Sequence, residues 1–115
     1  MSVVLVAISD LLFSSKVGAT ARTLGLPYER ASKKAALVDE VARTGAQRVL
    51  VDLAGVPSAI DAVQAVRQQH PSVEVVGYCS HTLVPLMERA RAAGCQRVLS
   101  QGELTQQLPE LLRLP

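Results

Sequence analysis

The segment RVLVDLAGVP, residues 48–57, decides the fold. An apolar run leads to Asp52 and then breaks at Gly55 and Pro57, which is the pattern of a buried strand followed by a turn. A carboxylate at the tip of such a strand can accept a phosphate group, cap a helix or have no chemical role. The role of Asp52 therefore depends on the residues that the fold brings next to it.

The rest of the chain alternates between strand-like and helix-like segments. Short apolar runs predict strands over 3–9, 26–32, 46–55, 73–80 and 95–100. Helical spacing of apolar residues predicts helices over 11–25, 33–45, 57–71, 82–94 and 103–114. Strands that alternate with helices form right-handed βαβ units, and hence a parallel sheet with helices on both faces.

The second strand is short and weakly apolar, which suits the edge of a sheet. We therefore expect an α/β fold: a three-layer α/β/α sandwich with a five-stranded parallel sheet in the flavodoxin-like order 2-1-3-4-5. The 115 residues predict a single domain spanning 1–115.

Several residues mark the expected helix ends. Gly25 follows the last apolar position of the first helix, where glycine is a natural stop. Ser58 and Thr82 are the expected N-caps of the third and fourth helices. Pro109 indicates that the last helix starts late or bends.

Composition narrows the function. The formal charge is +2 and the basic residues are scattered, so nucleic acid is not expected as a partner. The apolar start has no basic flank and is interrupted by Asp10, so we expect no membrane span and a cytoplasmic protein. Cys79 and Cys95 fit no metal-binding spacing, and the strand assignment puts them roughly 15 Å apart, which predicts two buried free thiols.

The last helix carries many leucines, and we expect an exposed apolar face there that makes a homodimer reasonable. The leucines in question are Leu104, Leu108, Leu111, Leu112 and Leu114.

An internal repeat links two parts of the chain. The segments ARTGAQRVLVD (42–52) and RAAGCQRVLSQ (91–101) share the pattern G-x-Q-R-V-L. We interpret them as two matching helix–strand units without a shared function. The match predicts that Asp52 and Gln101 each follow a central strand, at the carboxyl edge of the sheet where ligands bind in this architecture.

The remaining candidates for chemistry are few. Asp10 is either the N-cap of the first helix or a metal ligand. Ser14, Ser15 and Lys16 lie in the first turns of that helix and could bind a small anion or a nucleotide. The two histidines assemble no nucleophilic triad, so catalytic residues are not predicted.

Over essentially its whole length the chain resembles the response-regulator receiver domain. The resemblance rests on the five βα units, on VLVDLAGVP around Asp52, and on AAGCQRVLSQG (92–102) near the end. It implies that Asp52 is the phosphoacceptor, that acids after the first strand help to hold Mg²⁺, and that a hydroxyl and a lysine contact the phosphoryl oxygens.

The resemblance is incomplete at the site. It implies a Mg²⁺ site with Asp10 and Asp52 as ligands, but Ser9 stands where a second acid is expected. Cys79 takes the hydroxyl position, with Ser80 one residue further on. Gln101 replaces the lysine, and a neutral amide binds phosphate more weakly than an ammonium group does.

Three functions follow from these residues. The first is a stand-alone, degenerate receiver-like signalling domain (a pseudo-receiver of a two-component system) that contacts a kinase or output protein without enzymatic turnover. The resemblance implies the fourth helix, fifth strand and fifth helix as its contact surface. The second is a functional response regulator phosphorylated on Asp52 with Mg²⁺, and the third is an anion or nucleotide binder at the same edge.

Overall fold

Strands and helices alternate along residues 3–114, the part of the chain that the computed structural model describes. The strands are β1 (Val4–Ala7), β2 (Tyr28–Arg30), β3 (Arg48–Asp52), β4 (Glu74–Cys79) and β5 (Arg97–Ser100). The helices are α1 (Leu11–Leu24), α2 (Leu37–Thr44), α3 (Ala59–Gln69), α4 (Val84–Ala93) and α5 (Gln101–Leu112). The strands pair in parallel in the order β2-β1-β3-β4-β5, which confirms the predicted α/β class and flavodoxin-like order.

The core has two parts, one on each face of the sheet. Val49 and Val51 of β3 pack with residues of α2, α3 and α4, whereas Leu50 packs with residues of α1 and α5. All three side chains are fully buried. A parallel strand covered on both faces is apolar at every position, which explains the continuous run before Asp52.

The leucines of α5 belong to this core. Leu104, Leu108, Leu111 and Leu112 are at most 2 % exposed and pack beneath the helix against β1, β3 and β4. The predicted exposed leucine face is therefore wrong, and the argument for a homodimer that rested on it is lost. Only Leu114, beyond the end of the helix, is partly exposed.

Four helices begin at residues other than the predicted ones: α3 begins at Ala59 instead of 57, α4 begins at Val84 instead of 82, and the starts of α2 and α5 differ for an identifiable reason. The helix predicted from residue 33 begins at Leu37, because the Ser32 hydroxyl accepts a hydrogen bond from the Lys34 N–H at 3.2 Å and holds a turn. The helix predicted from residue 103 begins at Gln101, because Ser100 and Glu103 form a capping box. Pro109 therefore lies inside α5, so the predicted late start is wrong.

The predicted caps differ in outcome. Gly25 ends α1 in the left-handed conformation, with φ 68°, as predicted. Ser58 occupies the N-cap of α3, but it has φ 52° and its side chain makes no capping hydrogen bond. The N-cap of α4 is Leu83, and the Thr82 hydroxyl instead contacts that of Ser80.

The internal repeat has a structural role at the amino edge of the sheet. Arg48 and Arg97, its two arginines, both form ion pairs with Glu74. Arg48 also donates to the carbonyl oxygens of Leu111 at 2.7 Å and Arg113 at 2.9 Å. These bonds satisfy carbonyls that the end of a helix leaves unpaired, so Arg48 fastens α5 to the sheet.

Both cysteines are buried free thiols, as predicted. Within residues 3–114, no helix combines the length and the apolar character that crossing a bilayer requires.

Candidate functional site

Asp52 is the last residue of β3 and is half-buried at the carboxyl edge of the sheet. Its Oδ2 accepts a hydrogen bond from the Ser9 hydroxyl at 3.0 Å. Its Oδ1 accepts one from the Gly55 backbone N–H at 2.9 Å. Both carboxylate oxygens are thus held by groups of the chain itself.

Gly55 has to be a glycine for a local reason. A Cβ atom at this position would overlap the Ser9 hydroxyl and the Asp52 carboxylate. The close approach lets the backbone N–H reach Asp52, because only glycine allows main chain and side chains to come so near. Gly55, which ends the apolar run after β3, is therefore part of the site.

Asp10 acts as the N-cap of α1, one of its two predicted roles. Its Oδ1 accepts hydrogen bonds from the N–H groups of Leu12 at 2.9 Å and Phe13 at 3.4 Å. A cap of this kind satisfies two of the free donors at a helix start.

The donor groups at this edge fit Mg²⁺ poorly. Among residues 3–114, no three His, Cys, Asp or Glu side chains lie close enough together to hold a metal ion. The oxygens of Asp52 already accept hydrogen bonds, and Oδ1 of Asp10 accepts two from α1. Mg²⁺ keeps several waters and takes one or two carboxylates from a protein, so at this edge it would compete with the hydrogen bonds that Asp52 and Asp10 already accept.

The two candidates at the end of β4, Cys79 within the strand and Ser80 directly after it, have different environments. Cys79 is buried, and burial raises the pKa of its thiol, as does the negative charge of Asp52. Ser80 is exposed, and its hydroxyl lies 2.9 Å from that of Thr82. Cys79 is thus a neutral, enclosed group, and Ser80 is the accessible hydroxyl of the pair.

Gln101 directly follows β5, as the repeat predicts, but β5 is an edge strand and not a central one. Asp52 is a strand residue that pairs with Tyr78, whereas Gln101 is the first residue of α5 and is exposed. The last residue of β5 is Ser100, which pairs with Cys79. The Ser100 hydroxyl accepts the Glu103 N–H at 3.1 Å and so already has a partner.

The three residues proposed to bind an anion lie on two different faces of α1. Ser14 is buried, while Ser15 and Lys16 are exposed. The N–H groups at the start of this helix already bond to the Asp10 carboxylate, whose negative charge disfavours a second anion.

Two further residues at this edge were missed by the sequence patterns. Lys33, in the turn before α2, donates through Nζ to the Ser9 carbonyl oxygen at 3.4 Å. Tyr78 is buried against Phe13, with ring centroids 5.4 Å apart. Burial raises the pKa of the Tyr78 hydroxyl, and the charges of Asp52 and Asp10 raise it further. No local pattern marks either residue, because their partners lie in other elements.

Exposed apolar side chains surround the site. Leu11 and Leu12, which start α1, are 68 % and 84 % exposed, and Leu83 and Val84, which start α4, are 39 % and 52 % exposed. The buried face of α1 is formed by Phe13, Val17 and Ala21, so Leu11 and Leu12 lie outside it. Both helix starts lie at the carboxyl edge, so they frame Asp52 with apolar surface.

Comparisons with known proteins bear on this arrangement. Neither a protein-family model nor a curated protein matches the sequence. Three solved structures show the range of similar folds. One is the co-crystal structure of the Saccharomyces cerevisiae phosphotransfer protein Ypd1 with the receiver domain of Ssk1. A chain of that structure matches at 18 % identity and TM-score 0.77, and the match covers 96 % of this chain and 88 % of that one.

The other two are bacterial. Vibrio cholerae CheY4 matches at 20 % identity and TM-score 0.76, covering 97 % of this chain and 99 % of that one. The receiver domain of Brucella abortus NtrX matches at 16 % identity and TM-score 0.76, covering 91 % of this chain and 90 % of that one. The chain therefore has the fold of receiver domains, as the resemblance predicted.

Proposed function

We propose that this chain is a degenerate, receiver-like signalling module that acts through protein contact and does not use Asp52 as a phosphoacceptor. The observation that carries the proposal is the hydrogen bond from the Ser9 hydroxyl to Asp52 Oδ2, 3.0 Å long. Ser9 stands where the receiver resemblance implies an acid, so a group that would help to hold Mg²⁺ is replaced by one that occupies the acceptor.

The chemistry of phosphoryl transfer explains why this matters. The attacking carboxylate needs a reactive oxygen lone pair, and the incoming phosphoryl group needs a metal ion and a fixed cation to balance its charge. Each oxygen of Asp52 already accepts one hydrogen bond, which stabilises its charge and makes it a weaker nucleophile. Gln101, the expected replacement of the lysine, is the exposed first residue of α5. A neutral amide does not bring the positive charge that an ammonium group would place beside the phosphoryl oxygens, so Gln101 is a poor substitute.

The proposed contact surface is the apolar frame around Asp52. Burying a leucine or valine side chain contributes about 1.5–3 kcal/mol, so the four exposed residues at the starts of α1 and α4 are a substantial source of affinity. The receiver fold of Ssk1 is bound to a phosphotransfer protein in its structure, which supports a protein partner for this chain. Leu83 and Val84 also belong to the fourth-helix surface that the resemblance implies.

The proposal places the chain in the cytoplasm, where two buried free thiols remain reduced. We propose a kinase or an output protein as the partner class, and neither nucleic acid nor a membrane.

Incubation with acetyl phosphate and Mg²⁺, followed by intact-mass measurement, tests the central claim. We expect no phosphate adduct on the native chain. The Asp52→Asn variant is the matched control, because it removes the acceptor and keeps the shape of the side chain. An adduct on the native chain that disappears in Asp52→Asn would overturn the proposal.

One observation favours a second candidate, a response regulator phosphorylated on Asp52. Lys33 brings an ammonium group to the carbonyl oxygen of Ser9, the residue whose hydroxyl donates to Asp52, although it comes from a different element than the resemblance implies. If this candidate is correct, acetyl phosphate should give a phosphate adduct on Asp52. The amount of adduct should then be lower in Lys33→Ala and unchanged in Lys34→Ala.

A further inference from the structure

A cavity of about 550 Å³ lies between α2 and α3 at the carboxyl edge of the sheet. Its walls come from the end of β1, the segment before α2, and the first half of α3. The volume is within the range of pockets that bind small molecules, and its lining is mainly apolar.

The cavity exists because its walls are built from small side chains. Ala31, Ala35 and Ala36 line it from the segment before α2, and Ala62 and Ala65 line it from α3. The late start of α2 at Leu37 adds to the space, because residues 33–36 do not continue the helix over this part of the sheet.

Two charged residues line the cavity. Lys33 comes from the segment before α2, and Asp61 comes from the first turn of α3. Neither forms an ion pair with another residue in the range 3–114. The Lys33 ammonium lies 3.4 Å from the Ser9 carbonyl oxygen, which places the positive charge at the end of the cavity near β1.

We propose that this cavity binds a small aliphatic monocarboxylate, with its carboxylate against Lys33 and its hydrocarbon chain along the alanine-lined walls. Apolar walls favour the chain because its burial removes hydrocarbon from water. Lys33 favours an anionic head, whereas Asp61 repels negative charge and so favours a single charge over a phosphate dianion. This site is independent of the proposed protein contact.

The cavity adjoins Asp52 through shared residues. Ser9 and Gly55 line it, and they are also the two groups that donate to the Asp52 carboxylate. An occupant would therefore contact the immediate surroundings of Asp52, and its binding should be visible at the amides of both residues.

Titration of ¹⁵N-labelled protein with octanoate, followed by amide chemical shifts, tests this proposal. We expect saturable shifts at Ser9, Gly55, Leu37 and Ala62, and an affinity that falls about fourfold for each methylene removed in heptanoate and hexanoate. Octanol has the same chain without the charge, and we expect it to bind more weakly. Shifts confined to Leu11, Leu12, Leu83 and Val84 would overturn the proposal, as would equal binding of octanol and octanoate.

Single variants test the roles of Lys33 and Asp61 separately. Lys33→Ala should weaken octanoate binding about threefold to tenfold, while Lys34→Ala, the exposed neighbour that does not line the cavity, should leave it unchanged. Asp61→Asn should strengthen binding. Ala65→Leu should fill the cavity and abolish binding, with circular dichroism to verify its fold. Binding of octanoate to Lys33→Ala with native affinity would contradict the assignment of the head group even if Ala65→Leu does not fold.

Discussion

Ser9 determines the chemistry that Asp52 can perform. Its hydroxyl donates to one carboxylate oxygen while the Gly55 N–H donates to the other, so the charge of Asp52 is stabilised by neutral donors of the chain. A second carboxylate at position 9 would remove one of these donors and add repulsion, which a bound cation relieves at a pH where both groups are ionised.

Ser9→Asp is therefore expected to make the stability of the fold depend on Mg²⁺. Without the ion, two adjacent half-exposed carboxylates should lower the free energy of unfolding by about 1 kcal/mol. Added Mg²⁺ should restore it, because carboxylate pairs are suitable ligands for this ion. Thermal unfolding at several Mg²⁺ concentrations measures both effects.

Ser9→Ala is the control for this prediction. It loses the hydrogen bond without adding charge, so its melting temperature should fall without responding to Mg²⁺. A Mg²⁺-dependent stabilisation of the native chain as large as that of Ser9→Asp would show that Ser9 does not prevent metal binding.

Local patterns predicted some of these residues and not others. The position of Asp52 followed from the apolar run before it, and the cap formed by Asp10 followed from its place before a helix. The hydrogen bond between Ser9 and Asp52 joins residues 43 positions apart, and the one between Lys33 and Ser9 joins residues 24 apart. Such contacts depend on tertiary packing, which neither spacing nor propensity records.

At the scale of elements, the order of strands and helices was predicted correctly, but several boundaries were not. Apolar spacing locates the middle of a helix, whereas side-chain hydrogen bonds decide where it begins. The start of α5 follows from the capping box of Ser100 and Glu103, whose S-x-x-E pattern is visible in the sequence. The start of α2 depends in addition on Glu40, which lies eight residues beyond Ser32.

Glu40 fastens the segment before α2. Its buried carboxylate accepts the Ser32 N–H at 2.6 Å and pairs with Arg43 at 2.9 Å. The hydrogen bond with Arg43 lowers the pKa of Glu40, and the bond from Ser32 lowers it further. Because the folded state favours the ionised form, this stabilisation is present above the ordinary pKa of glutamate and is lost as the pH falls through the lowered value.

Glu40→Gln should therefore lower the melting temperature at pH 7, and its difference from the native chain should shrink as the pH falls below about 4.3. Glu88→Gln, on the exposed side of α4, is the matched control and should change little at either pH. If the melting temperature of Glu40→Gln differs from that of the native chain by the same amount at pH 7 and pH 3, the charge of Glu40 does not contribute to stability.

At the scale of the whole molecule, the sheet brings to one edge groups that are scattered along the chain. Alternating strands and helices predicted that edge, because parallel strands end on the same side. The pattern did not predict which helix faces are covered. Helical spacing shows that a stripe is apolar, but the packing of α5 against the sheet decides that its leucines are buried, whereas Leu11 and Leu12 remain exposed.

The most direct test of the central claim, that Asp52 is not a phosphoacceptor, is titration with beryllofluoride and Mg²⁺, which together mimic a phosphorylated carboxylate. Backbone amide resonances of Ser9, Asp52 and Gly55 report on the site, and those of Leu83 and Val84 report on the surface of α4. We predict no saturable shifts at these five amides. Saturable shifts at the site that spread to α4 and are absent in Asp52→Asn would contradict the account.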